Sequence, residues 1–186
     1  KGTVAAQWAR EVVTGAGEGT GVVLGMDGFR RPRAARAHMP DPAAALARRG
    51  APWTFDARAL AQRLQALRHA QGAVTWPGFD HGVGDPVPDA ISVPQGTRLV
   101  LVEGLYLLHR GDGWDLTGLL DECAYLDVPL STAMQRLSAR HQAAWGFTPG
   151  QAQARIDAND GLNAALVEMT LERADWLVQN PDFAAK

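Results

Sequence analysis

The sequence predicts a single α/β domain, residues 1–186, in which a parallel sheet is covered by helices on both faces. Three observations predict it. Short, nearly unbroken apolar runs at 21–26 and 99–103 have strand length but lack the in–out alternation of a half-exposed sheet, so they read as strands buried on both sides. Segments of helical period alternate with them. A chain of 186 residues with 46% apolar content can bury one hydrophobic core.

Residues 3–14 read as a helix, because Val4, Trp8 and Val12 recur at four-residue spacing before Gly15 breaks the pattern. The strand at 21–26 ends in Asp27-Gly28. Residues 30–50 are rich in Arg, Pro and Ala, and Asp41-Pro42 starts a short helix through Arg48, stopped by Gly50. Asp56 caps a helix reaching about His69, with Ala57, Leu60, Ala61, Leu64 and Leu67 on one face. Residues 72–98 hold many Gly, Pro and Asp residues and read as loop with one or two short strands, Ala90–Val93 among them. The strand at 99–103 ends in Glu103-Gly104. A further strand is expected at 124–127, a helix from Leu130 to Ala144, a long helix from Pro149, and a last strand at 176–179. Ligands of such sheets sit beyond the C-terminal ends of the strands. Asp27 and Glu103 should therefore meet at one rim.

The net charge of −2 provides no basic field for nucleic acid. Sixteen of the eighteen basic residues are arginines; the lysines are Lys1 and Lys186. No apolar run is long enough to span a membrane, since Leu99–Leu108 is interrupted by Glu103 and Gly104. A single cysteine, Cys123, excludes an internal disulfide and fits a reducing compartment, so the cytoplasm is expected. The five histidines are scattered without zinc spacing. A homodimer is the default assembly. Trp114, Trp145 and Trp176 read as packing residues.

Lys1-Gly2-Thr3 opens directly into the first helix. A phosphate-binding loop ends this way, with a lysine and helix-start amides that hold phosphate. Read alone, the three residues fit equally well with an ordinary helix start.

A string of further pieces carries a resemblance. They are Met26-Asp27-Gly28-Phe29, Gly50-Ala51-Pro52-Trp53-Thr54-Phe55-Asp56, Pro77-Gly78-Phe79-Asp80-His81 and Val102-Glu103-Gly104-Leu105-Tyr106-Leu107-Leu108. Tyr125-Leu126-Asp127-Val128-Pro129, Arg136 through Arg140-His141, and Asp157-Ala158-Asn159-Asp160 with Asn163 follow in order. Together they resemble the phosphoribulokinase/uridine kinase class of P-loop kinases, and within it the bacterial nucleoside/nucleotide kinase branch related to type I pantothenate kinase.

The resemblance implies a P-loop kinase fold of about five parallel strands, with the first strand and most of the phosphate loop upstream of Lys1. It implies transfer of the γ-phosphoryl of ATP, with Mg²⁺, to an alcohol group of a small metabolite such as a sugar, a nucleoside or a pantothenate-like compound. Asp27 falls in the base position. Lys1 would contact the β and γ phosphates, Gly2 and Thr3 would supply amides, and Thr3 and Glu103 are candidate metal ligands. Segment 136–148 corresponds to a mobile lid, with Arg136 and Arg140 closing over phosphates. The family often has His where this chain has Arg30.

The remaining candidates belong to the acceptor side: Arg30, Asp56, Phe79, Asp80, His81, Tyr106, Arg155, Asn159 and Asn163. Each has a competing reading. Asp27 could serve a tight turn, Glu103 a cap, Asp56 the helix it precedes, and Asp80-His81 a stiff loop. Tyr106 could pack against the sheet, and Arg155, Asn159 and Asn163 could form a solvent stripe. The cluster Arg30, Arg31, Arg33, Arg36 either attracts an anionic substrate or is a loop in an arginine-rich chain. Two other functions compete: a nucleoside-monophosphate kinase, and a degenerate nucleotide-binding protein without catalysis.

Overall fold

The computed structural model describes Glu11 and residues 21–179. Lys1, Gly2, Thr3 and, apart from Glu11, the helix expected over 3–14 lie outside the described residues. Strand β1 (Gly21–Gly25) runs into a 3-10 turn (Met26–Phe29). Two short helices follow, α1 (Arg33–Ala37) and α2 (Pro42–Ala47), then α3 (Ala57–Arg68). Strands β2 (Val74–Asp80), β3 (Asp85–Val93), β4 (Leu99–Glu103) and β5 (Ala124–Asp127) come next. Helix α4 (Leu130–Trp145) is followed by α5 (Pro149–Arg155), a π-helical turn (Ile156–Asp160), α6 (Gly161–Glu168) and β6 (Trp176–Gln179).

Among the described residues the strands pair as β1 with β4 and β5 with β6, both parallel, and β2 with β3, antiparallel. Apart from Leu24, which is fully buried, β1 and β4 are half-buried rather than enclosed on both faces, as the apolar runs predicted. Each has one hydrogen-bonded neighbour among the described residues.

The caps read from the sequence form as expected. Asp41 accepts from the Ala44 amide at 2.8 Å and Asp56 from the Ala59 amide at 2.9 Å, satisfying helix-start donors that would otherwise be orphaned. Leu60 and Leu64 bury the inner face of α3 against Trp76, Phe29 and Phe55, with Ala61 and Leu67 at its margin. No helix among the described residues is long and apolar enough to cross a membrane.

Segment 72–98 departs from expectation, because most of it is a long hairpin rather than loop. Its prolines misled the reading. Pro77 sits where the β2–β3 register shifts between Trp76 and Gly78, an irregularity at which the ladder does not need the missing N–H. The hairpin is also tied to α3: Arg63 donates to the Thr75 carbonyl at 2.8 Å, and the Thr75 hydroxyl donates to Asp89. A second departure is the helix from Pro149. It is interrupted by the π-helical turn at 156–160, which carries Asn159 into the interior.

Candidate active site

The parallel pairing of β1 and β4 sets Gly25 opposite Glu103, so both strands end at one rim. A β-carbon on Gly25 would stand 3.2 Å from Glu103 Oε1 and 4.0 Å from the Asp27 amide nitrogen. The Glu103 carboxylate and the turn bearing Asp27 therefore crowd the same spot. A side chain at position 25 would press on the carboxylate and displace it by a few tenths of an ångström.

The Asp27 turn is held from three sides. Trp76 Nε1 donates to the Gly25 carbonyl at 2.9 Å, and its ring meets Phe29 edge-on at 4.8 Å. The Met26 sulfur accepts from the Leu105 amide at 3.1 Å. Gly28 presses on the Pro77 carbonyl so closely that a β-carbon would overlap it. Gly104 likewise lies against the Met26 side chain, which a β-carbon there would overlap.

Asp27 is partly exposed and accepts from Arg30, whose Nε and Nη2 both lie 3.2 Å from Oδ1. The Arg30 guanidinium lies over the Phe55 ring, 4.7 Å from its centroid, and 5.4 Å from that of Phe79. Such cation–π contacts fix the orientation of the arginine and hence of the carboxylate it grips. Asp27, Arg30, Phe79 and Glu103 are thus gathered around the rim, and His81 stands edge-on to Phe79 at 5.2 Å.

Other candidates take the competing duty. The Asp56 carboxylate is the cap of α3. Asp80 accepts from the Gly82 and Val83 amides at 2.7 and 3.1 Å and closes the hairpin turn. Tyr106 does not line a pocket. It is fully buried among Phe55, Trp114 and His109, its hydroxyl donates to the Gly50 carbonyl at 2.6 Å, and burial holds its pKa far above the ordinary phenol value. Replacing Tyr106 with Phe should leave the Gly50 carbonyl unpaired and cost about 1–3 kcal/mol in urea denaturation. The KM for ATP should not change.

The stripe Arg155, Asn159, Asn163 is neither a solvent face nor open to a ligand in this arrangement. Asn159 and Asn163 are buried. Asn159 Nδ2 donates to the Arg49 carbonyl at 3.0 Å and its Oδ1 accepts from Arg48 at 3.3 Å. Asn163 accepts from Arg48 at 3.4 Å, and Arg155 donates to the Ala47 carbonyl at 3.3 Å. Together they clamp the 47–49 backbone onto the π turn. The same turn lets Asp160 meet His141 at 2.9 Å.

Arg136 and Arg140 lie on the exposed face of α4, which packs on α5 and α6. Trp114 packs as expected, but Trp145 and Trp176 are exposed. Trp145 stacks on His141 with centroids 4.5 Å apart, and Trp176 donates to Glu122. Sequence reasoning overlooked Trp76 and Arg49. The alternation of Val74 and Trp76 was a strand signal obscured by Pro77. Arg49 was hidden beside Arg48 in an unremarkable helix end.

No family model matches the chain. It is 42% identical over 146 residues to the ATP-dependent kinase-like protein notR' of Aspergillus versicolor, covering 75% of this chain and 84% of that protein. It is 35% identical over 161 residues to a candidate uridine kinase of Schizosaccharomyces pombe, covering 84% of this chain and 68% of that one. The chain belongs to the uridine kinase-like, ATP-dependent P-loop kinases. A crystal structure of a candidate fructose transport system kinase from Silicibacter sp. TM1040 superposes on this P-loop kinase with a TM-score of 0.84. The identity is 31%, over 95% of this chain and 82% of that one. The expected α/β P-loop kinase architecture is thereby established. The rim built by Asp27 and Glu103 lies at the C-terminal ends of the parallel strands, where nucleotide-handling α/β sheets carry out their chemistry.

Proposed function

We propose that this P-loop kinase transfers the γ-phosphoryl of ATP to an alcohol group of a small metabolite, in the range of sugars, nucleosides and pantothenate-like compounds. The observation that supports the reading is the Gly25–Glu103 register, which sets a half-exposed carboxylate, Asp27, beside a second one at the rim of the parallel pair. Asp27 accepts the alcohol proton as the acceptor oxygen bonds to the γ-phosphorus and the bond from that phosphorus to the β,γ-bridging oxygen breaks, releasing ADP. Phosphoryl transfer depends mainly on alignment and charge stabilisation, so one positioned carboxylate suffices as base. Arg30 keeps the Asp27 carboxylate oriented toward the acceptor.

Mg²⁺ fits this donor set. No group of three or more His, Cys, Asp or Glu among the described residues could form a protein cage. Mg²⁺ instead keeps several waters and takes one or two carboxylates plus phosphate oxygens. Glu103 is the carboxylate we assign to it, directly or through water, and Thr3 a candidate hydroxyl ligand. Bound there, the ion would neutralise phosphate charge. Lys1 would hold the β and γ phosphates. Arg136 and Arg140 would join them as a lid around 136–148, hinged where Gly146 adopts a left-handed φ of 66° before the Thr148 capping box starts α5. The lone Cys123 accords with the cytoplasm as working compartment.

The test is ADP release by the full-length protein with sugars, nucleosides, pantothenate and glycerate as acceptors. Acceptor-dependent ADP release is expected with at least one. Transfer to nucleoside monophosphates alone would reverse the assignment in favour of a nucleotide acceptor. In an active preparation, Glu103→Gln should raise the Mg²⁺ concentration for half-maximal rate by about tenfold or more.

A further inference from the structure

Beside the Asp27 rim, Arg49 joins the four arginines of segment 30–36. Arg30, Arg31, Arg36 and Arg49 line one cleft with Thr54 and Gly84. Arg33 and Arg49 meet over Gly84: a β-carbon there would stand 2.9 Å from Arg33 Nη2 and 3.2 Å from Arg49 Nη2. Arg36 is 8% exposed. The Nε atoms of Arg31 and Arg36 are buried without a hydrogen-bond partner among the described residues.

Buried guanidinium N–H groups are costly to leave unpaired, and like charges in one cleft repel. The pKa values of Arg36 and Arg49 are pushed down by burial first. Neighbouring arginines push the same way, while Asp85 opposes them. Asp85 is itself engaged, accepting from the Arg33 backbone amide at 2.9 Å. The Asp27 carboxylate is gripped by Arg30. The cationic charge of the cleft therefore exceeds the acidic charge facing it. A polar network of this kind, assembled by the clamp on residues 47–49 and by the hairpin turn, wants an anion.

We propose that Arg31, Arg36 and Arg49, flanked by Arg30 and Arg33, form a subsite for a small oxyanion, the phosphoryl or carboxylate group of the acceptor, so that the kinase acts on an anionic alcohol. This rests on the kinase reading for the identity of the ligand, but not for the existence of the site. Arg30 links the two functions, because it borders the cleft and grips Asp27. An oxyanion in the cleft would place the acceptor's hydroxyl end toward the base. Bidentate guanidinium contacts suit either phosphate or carboxylate. The side chains now close over the cleft with no room for a water-sized sphere, so a ligand enters by turning the flexible arginine arms outward.

The probe is inorganic phosphate, with acetate in parallel, added to the full-length protein without nucleotide and followed by thermal unfolding and calorimetric titration. At saturating phosphate the Tm should rise by about 2–4 °C. Arg36→Gln and Arg31→Gln should each weaken binding by about tenfold. Their Tm without anion should be equal to or above that of the parent, because the change removes a crowded cation whose Nε is buried without a partner. Two variants guard against one failing to fold. Arg58→Gln, on the exposed face of α3, should bind as the parent does. Binding of acetate but not phosphate would assign the site to carboxylates, and binding of phosphate to phosphorylated acceptors; both support it. Phosphate binding that survives Arg36→Gln and Arg31→Gln but is lost in Lys1→Ala belongs to the nucleotide's phosphates and overturns the proposal, as does no binding of either anion. Turnover separates the two readings. A protein that binds phosphate through Arg36 yet transfers to no acceptor keeps the anion site and loses the kinase assignment. A kinase that uses a neutral sugar with a lower KM than its phosphate ester keeps the activity and loses the subsite.

Discussion

Asp27→Asn should lower kcat by about 10²-fold or more while leaving the Kd for ATP within about twofold of the parent. The amide keeps the size of the side chain and the acceptor oxygen that faces Arg30 at 3.2 Å, so the turn and the cation–π stack over Phe55 and Phe79 should survive. What disappears is the ability to take the alcohol proton as the oxygen attacks phosphorus. An interaction that matters at the transfer step and not in nucleotide binding changes kcat without changing ATP affinity. Pre-steady-state measurement of a single turnover is the direct readout, since product release cannot mask it. A kcat equal to that of the parent would remove Asp27 as base and leave it a turn residue.

Gly28→Ala should destabilise the protein by about 3 kcal/mol or more, at the upper end of overpacking costs or beyond. The added methyl would overlap the Pro77 carbonyl oxygen and stand 2.6 Å from its carbon. Both are backbone atoms in β2, so no side-chain rotation relieves the clash. Either the hairpin moves away or the Met26–Phe29 turn does, and both carry site residues: Phe79 on one, Asp27 within the other with Arg30 directly after it. Urea denaturation should show a lower midpoint, and residual activity should fall more than stability alone accounts for. A variant with the parent's stability would mean that the turn and the hairpin are not in contact as described.

The fold was legible where local chemistry carries its own signal. Asp41 and Asp56 read as caps because a short acceptor before a helix satisfies an orphaned amide wherever the rest of the chain goes. The runs at 21–26 and 99–103 read as strands because continuous apolar residues of that length fit a buried strand; strands form over Gly21–Gly25 and Leu99–Glu103, with Met26 starting the turn instead. The hairpin over 74–93 was illegible because proline and glycine are turn signals in isolation, and the register shift that tolerates Pro77 exists only once β3 is opposite. The π turn was illegible for a similar reason. Its extra residue is stabilised by Asn159 and Asp160 reaching the 47–49 segment and His141, which are distant in the chain.

The site divides along the same line. Acids at strand ends put Asp27 and Glu103 at one rim on the sequence alone, because parallel strands deliver their C-terminal ends to one edge. Whether Tyr106, Asn159 and Asn163 face a ligand or the interior was a matter of burial and partners, and those arise only when distant segments meet. The arginine cleft is the sharpest case: the cluster at 30–36 stood out in the sequence with two readings open, but only the packing of α1, the end of α2 and the hairpin turn brings Arg49 to Arg31 and Arg36 in one cleft. Residue type and local spacing fix what a side chain is able to do; long-range contacts fix what it is left free to do, because burial and pairing depend on residues that the local pattern cannot see.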